Sequence, residues 1–186
     1  MKVVRNTIGF FIDYPFVTNL ALLLIVAAHY LLAIREPALD VAGRLADAGE
    51  KSGTLGDLTS LALGAASIAA MVGGFAGVVV IFGLGGEYDR FRVLRQRGGR
   101  RLRASWISVV LVSFAAAFLS VVAAVITVAF SPVNGMWVFE AALLLSAHGA
   151  VRLTWLLSRL ARLVDAADED ARRDEARIPA EELFRN

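Results

Sequence analysis

The sequence predicts an all-α integral membrane protein: a bundle of four transmembrane helices, both termini cytoplasmic, with the fourth helix extended into the cytoplasm. Three observations carry this. Residues Tyr14 to Ile34, Leu58 to Gly86 and Ala104 to Phe139 contain no Asp, Glu, Lys or Arg, and Met136 to Leu157 contains only Glu140 and Arg152. A hydrocarbon core about 30 Å thick needs roughly 20 apolar residues of helix at about 1.5 Å rise each. The chain of 186 residues is 58% hydrophobic with mean hydropathy +0.65, too apolar for a soluble domain to cover with polar surface. Finally, the arginines are shared very unequally among the connectors, which sets the orientation.

The first span, about 14–34, follows Lys2 and Arg5 and resembles a signal peptide in outline. Its apolar run is too long for that, and Ala27-Ala28-His29 is a poor cleavage site, so it reads as a retained helix. The loop 35–57 holds three basic residues against five acids. Pro37 suits the first turn of a short helix, with Leu39, Ala42, Leu45 and Ala46 on one face and Gly49 as its stop, lying along the membrane surface. Thr54 with Asp57 reads as a capping box before the second span, about 58–86.

The connector 87–103 reads as a cytoplasmic loop with seven arginines, among them Arg95, Arg97, Arg100, Arg101 and Arg103. The third span, about 104–130, turns back through Ser131-Pro132-Val133-Asn134-Gly135, too short for anything but an antiparallel hairpin. The fourth, about 136–157, continues without proline to about Arg177. Residues 1–165 thus form the membrane domain and 166–186 a charged tail. With both termini inside, fifteen basic connector residues lie in the cytoplasm and three outside.

Composition excludes several chemistries. There is no cysteine, and two histidines are too few for a three-histidine zinc site. A haem held between His29 and His148 would need both at one depth, whereas their positions in their spans differ by about 10 Å. Neither a cofactor nor a metal site is expected. The arginines lie beside membrane spans, with no aromatic platform, so the expected partner is an anionic headgroup surface and no nucleic acid. Gly83, Gly85 and Gly86 follow a helix, not a strand, and no Lys-Ser or Lys-Thr pair makes them a phosphate loop. No nucleophile–base pair is visible, and no catalysis is expected.

The second span carries small residues in rows at four-residue spacing: Ala65, Ala69, Gly73 and Gly77, and beside it Ala62, Ala66, Ala70 and Gly74. On the third, Ser113, Ser120 and Thr127 recur every seven residues. Such faces allow close helix packing, within one bundle or between subunits. The fourth span holds Glu140, His148 and Arg152 along one drifting stripe. His29 falls at the depth of Glu140, which permits a pair. Arg152 is close enough to the inner end to snorkel, with Asp13 and Asn19 as possible partners.

Two roles follow. In one, the chain is an accessory or regulatory subunit that docks a protein partner through its Arg-rich loop and tail. In the other, it self-assembles into an ion-conducting or membrane-perturbing pore lined by Glu140, His148, Ser113, Ser120 and Thr127. Abundant Ala, Gly and Arg, with lysine only at positions 2 and 51, points to the cytoplasmic membrane of a GC-rich prokaryote.

Overall fold

The structure, a computed structural model, describes residues 14–85 and 89–175. These are helical apart from short turns, and no strand occurs among them. Five α-helices follow in order: α1 (Pro15–Arg35), α2 (Val41–Lys51), α3 (Leu55–Gly85), α4 (Asp89–Ala129) and α5 (Pro132–Glu175), with a 3-10 turn at Pro37–Leu39. Four of them, α1, α3, α4 and α5, contain stretches long and apolar enough to cross a membrane.

α4 is the centre of the bundle. It packs along both α3 and α5, whereas α1 leans chiefly on α5 and barely reaches α4. Among the buried positions of α4, Trp106, Val109, Ser113, Ala116, Ser120, Ala123 and Thr127 alternate three and four residues apart, and Ser108, Val112 and Ala124 widen the buried face beside them. α3 buries Ala62, Ala66, Ala69, Gly73 and Ala76 on the same alternation. On α5, Gly135, Ala142, Gly149 and Leu156 recur every seven residues. A repeat of 3.5 keeps one seam facing its neighbour along a left-handed crossing. A strict four-residue row instead drifts about 40° per step around a 3.6-residue helix. The buried face of α3 therefore takes members of both expected rows, while Ala70 and Gly74 are exposed.

Close approach depends on glycine at two seams. A methyl group built on Gly73 would stand 3.2 Å from Ser113 Cβ, and one on Gly135 would stand 2.8 Å from Thr127 N and 2.9 Å from Ala123 O. Gly77, the other half of the GxxxG, meets nothing within 4 Å.

Local signals place the helix ends, with several shifts from the expected positions. Pro37 opens the 3-10 turn, and α2 starts later, where Asp40 Oδ1 accepts a hydrogen bond from Gly43 N at 2.7 Å. α2 passes through Gly49, which is buried against Leu58, and stops at Gly53 with φ +68. Its buried face is Ala42, Gly43, Ala46 and Gly49; Leu39 and Leu45 are exposed. The small side chains let α2 lie against α5 and α3. Thr54 Oγ1 meets Ser52 Oγ at 2.8 Å and makes no capping box with Asp57, whose N–H bonds Thr54 O at 2.9 Å. Only Phe130 and Ser131 separate α4 from α5, because Pro132 already occupies the first helical turn.

Two helices overrun the apolar windows. The segment expected as an Arg-rich loop is helical from Asp89 onward, continuous with the span that begins at Ala104. α5 likewise runs unbroken to Glu175. At about 1.5 Å per residue, the 41 residues of α4 and 44 of α5 measure roughly 62 and 66 Å. Since α4 and α5 are antiparallel, both overruns leave the bundle at one end, called here the arm end; the other is the turn end.

Candidate functional site

At the turn end, His29 of α1 joins three elements. Its Nδ1 lies 2.8 Å from Glu140 Oε1 on α5, and its Nε2 lies 3.1 Å from Leu39 O in the 3-10 turn. A carbonyl oxygen only accepts, so Nε2 carries hydrogen while that bond is made. The contact at Nδ1 then holds a second proton, on the imidazole or on the carboxyl. The pair is therefore net neutral, and both ring nitrogens are engaged. Trp137, one turn from Glu140, packs edge-on against His29 at 5.0 Å between centroids and against Tyr30 at 5.3 Å. The side chains of the pair are 28% and 29% exposed, so the clasp sits at the rim of the bundle and not in its centre.

At the arm end, Arg152 does not snorkel. It is 3% exposed, and its guanidinium turns onto α4, where Nη1 donates to Ser108 Oγ at 2.8 Å and Nη2 to Ser105 Oγ at 2.9 Å and Ser105 O at 3.3 Å. Ser108 Oγ in turn donates to Ser105 O at 2.8 Å. Of the expected partners, Asp13 lies outside the described residues, and Asn19 Oδ1 is buried with no hydrogen-bond partner among them. Ser105 and Ser108 supply what a lone Asn would have had to supply from across the bundle: three oxygens within reach of one planar fork.

Between the two ends, His148 lies eight residues from Glu140, about 12 Å along the helix. Its Nε2 is buried without a hydrogen-bond partner among the described residues, as are Ser146 Oγ, Ser113 Oγ and Ser120 Oγ. Ser113, Ser120 and Thr127 lie in the helix seams, each at most 2% exposed. Thr127 Oγ1 donates back to Ala123 O at 2.8 Å, and a methyl on Gly149 would stand 3.0 Å from Ser113 Oγ. Ala69 and Gly73 are buried in the α3–α4 packing, and Gly77 is half-buried beside open space.

The backbone of Arg95, Arg97, Arg100, Arg101 and Arg103 is helical. No group of three or more metal-binding side chains occurs among the described residues. Sequence reasoning reached His29 with Glu140 through matched depth. It missed Ser105, Ser108 and Trp137. The spacing of two serines three residues apart, near the arm end of α4 facing Arg152, was the available signal for the first two.

No protein-family model, curated protein or solved structure shows significant similarity to this chain.

Proposed function

We propose that this chain is a non-catalytic, multi-pass protein of a prokaryotic cytoplasmic membrane, with both termini inside. It serves as an accessory or regulatory subunit that docks a cytoplasmic or membrane partner through its two helical arms. The observation that carries this reading is the paired overrun of α4 and α5 at one end of the bundle. The α4 arm, residues 89–103, carries seven arginines and one acid; the α5 arm, residues 158–175, carries four arginines and six acids. Together they offer a partner two continuous helices of opposite net charge, which favours oriented encounter. The arginine excess also sets this end in the cytoplasm.

The polar groups support the same role. Glu140 is matched by His29, and Arg152 is tied to α4, as expected of groups that fix helix register in an apolar solvent. The pore reading asks Ser113, Ser120 and Thr127 to face water, and their packing in the seams weighs against it.

The test is native mass spectrometry after gentle extraction from the source membrane. A stoichiometric second protein, lost when residues 163–186 are removed while the bundle keeps its melting temperature, is the expected result. A defined homo-oligomer whose bilayer conductance changes with Glu140→Gln or His148→Ala would replace this reading with the pore.

A further inference from the structure

Among the described residues, Arg152 is the buried charged group that the packing leaves without a counter-charge. Its fork holds five N–H donors. The described contacts direct them at neutral oxygens only, Ser108 Oγ, Ser105 Oγ and Ser105 O. Glu140 is taken by His29 at the far end, and no carboxylate among the described residues pairs with Arg152. A guanidinium withdrawn from water with its charge uncompensated is costly, and hydrogen bonds to hydroxyls offset that only in part. An anionic group completing the fork would remove the imbalance.

The geometry says from which side such a group enters. Ser108 is 2% exposed and closes the Nη1 edge, whereas Ser105 is half-buried, so the Nη2 edge of the 3% exposed Arg152 is the one nearer the surface. Ser105 is the second residue of the apolar window that starts at Ala104. In a bilayer this level is where hydrocarbon gives way to headgroups. The α4 backbone also sets Arg101, Ser105 and Ser108 on one helical row, at i, i+4 and i+7. Beside Ser105, Trp106 is 4% exposed, and its indole N–H, a donor only, finds no acceptor among the described residues. A cationic fork held by neutral oxygens alone, near headgroup depth, matches the charged phosphate oxygens that a lipid presents there.

We infer that Arg152 and Ser105 form a binding notch for the phosphodiester of an anionic inner-leaflet lipid. Nη2 of Arg152, giving up its long contact with Ser105 O, and the Ser105 hydroxyl donate to the phosphate oxygens, and the lipid chains lie along the α4–α5 seam. The bound phosphate supplies the missing counter-charge. This inference rests on the proposed span and orientation of the chain in the membrane and is independent of any docking by the arms.

The test uses the full chain in neutral detergent, titrated with phosphatidylglycerol and separately with inorganic phosphate, and read by native mass spectrometry and melting temperature. One retained phosphatidylglycerol is expected. Arg152→Lys, which keeps the charge but loses the fork, and Ser105→Ala should each weaken retention about tenfold or more, the size of a lost charge-assisted hydrogen bond. Inorganic phosphate that displaces the lipid and raises the melting temperature of the native chain, but not of Arg152→Lys, supports the same notch filled from solution. Equal lipid retention by all three chains overturns the inference. So does retention that follows Arg100→Gln and Arg103→Gln but ignores Arg152 and Ser105, which would move the lipid to the arm. If Arg152→Lys loses its helical circular-dichroism signal, Ser105→Ala decides alone.

Discussion

Replacing glycines by alanine, one at a time, separates seams inside the bundle from faces turned outward. At an open helical site the change gains up to about 1 kcal/mol from helix propensity. At a packed site the added methyl must displace something, and overpacking costs about 1–3 kcal/mol. Gly135 is the severe case, because its new methyl would meet backbone atoms, Thr127 N at 2.8 Å and Ala123 O at 2.9 Å, neither of which moves without shifting α4 from α5. Gly135→Ala is expected to destabilise by about 2–3 kcal/mol, the top of the overpacking range. Gly149 faces the Ser113 hydroxyl at 3.0 Å, which rotates away, so about 0–1 kcal/mol is expected there. Gly64, Gly74 and Gly77 have nothing within 4 Å, and alanine should leave them neutral or more stable by up to about 1 kcal/mol. The assay is reversible unfolding in mixed detergent micelles, followed by circular dichroism on the monomer. A Gly135→Ala protein as stable as the native chain would refute the packing argument. So would a Gly77→Ala monomer destabilised by more than about 1 kcal/mol, a loss that open space gives no reason for. A Gly77→Ala chain that keeps monomer stability but loses self-association would assign the open space beside Gly77 to a subunit contact.

Three further outcomes follow from the same geometry. A double-mutant cycle of His29→Ala and Glu140→Ala in that unfolding assay should give a coupling of about 0.6–1.7 kcal/mol, the range for interhelical hydrogen bonds in membranes, and near the lower end because the pair is partly exposed; zero coupling would mean that the clasp does not hold α1. Asp40→Ala removes the cap at Gly43 N and should cost α2 about 1 kcal/mol, seen as faster proteolysis between residues 36 and 54 with little change in bundle melting. Because the chain has no cysteine, single cysteines can be introduced cleanly: those at Lys51 and Asn134 should react with impermeant maleimide on intact cells, and those at Gly98 and Arg172 only after permeabilisation. The reverse pattern would invert the topology.

The four long apolar helices were legible because length and apolarity alone decide them, and a bilayer-length run without charge has few other readings. The His29–Glu140 pair was legible for a related reason: depth is a one-dimensional coordinate that residue counting supplies. What counting does not supply is the angle around a helix. The α3 rows were read at four-residue spacing, whereas the bundle selects a 3.5 repeat, so Gly74 and Ala70 fall on the exposed face and Gly73 with Ala76 on the buried one. Arg152 was misread for the same reason. Its depth permitted snorkelling, but its direction around α5 points at Ser105 and Ser108. The Arg-rich connector read as a loop because charge density was taken for a break, yet arginine is a good helix former and nothing between Asp89 and Ala104 stops a helix except the paired Gly98 and Gly99.

The thin attachment of α1 has a consequence for how the protein is made. Its clasp joins residues 111 positions apart in the chain. At about 5–20 residues per second, α1 waits on the order of 5–20 seconds between its own synthesis and the arrival of Glu140. During that interval the neighbour at hand is the 3-10 turn, whose Leu39 O accepts from His29 Nε2, and α4 adds little. The composition of α1 suits such a wait: its window has a mean hydropathy of 2.2, and His29 is placed near the end where headgroups can solvate it. α4 and α5, joined by two residues, face no such delay and can enter as a pair, so Arg152, one of the two charged groups of the fourth span, reaches Ser105 and Ser108 as soon as its own helix is made.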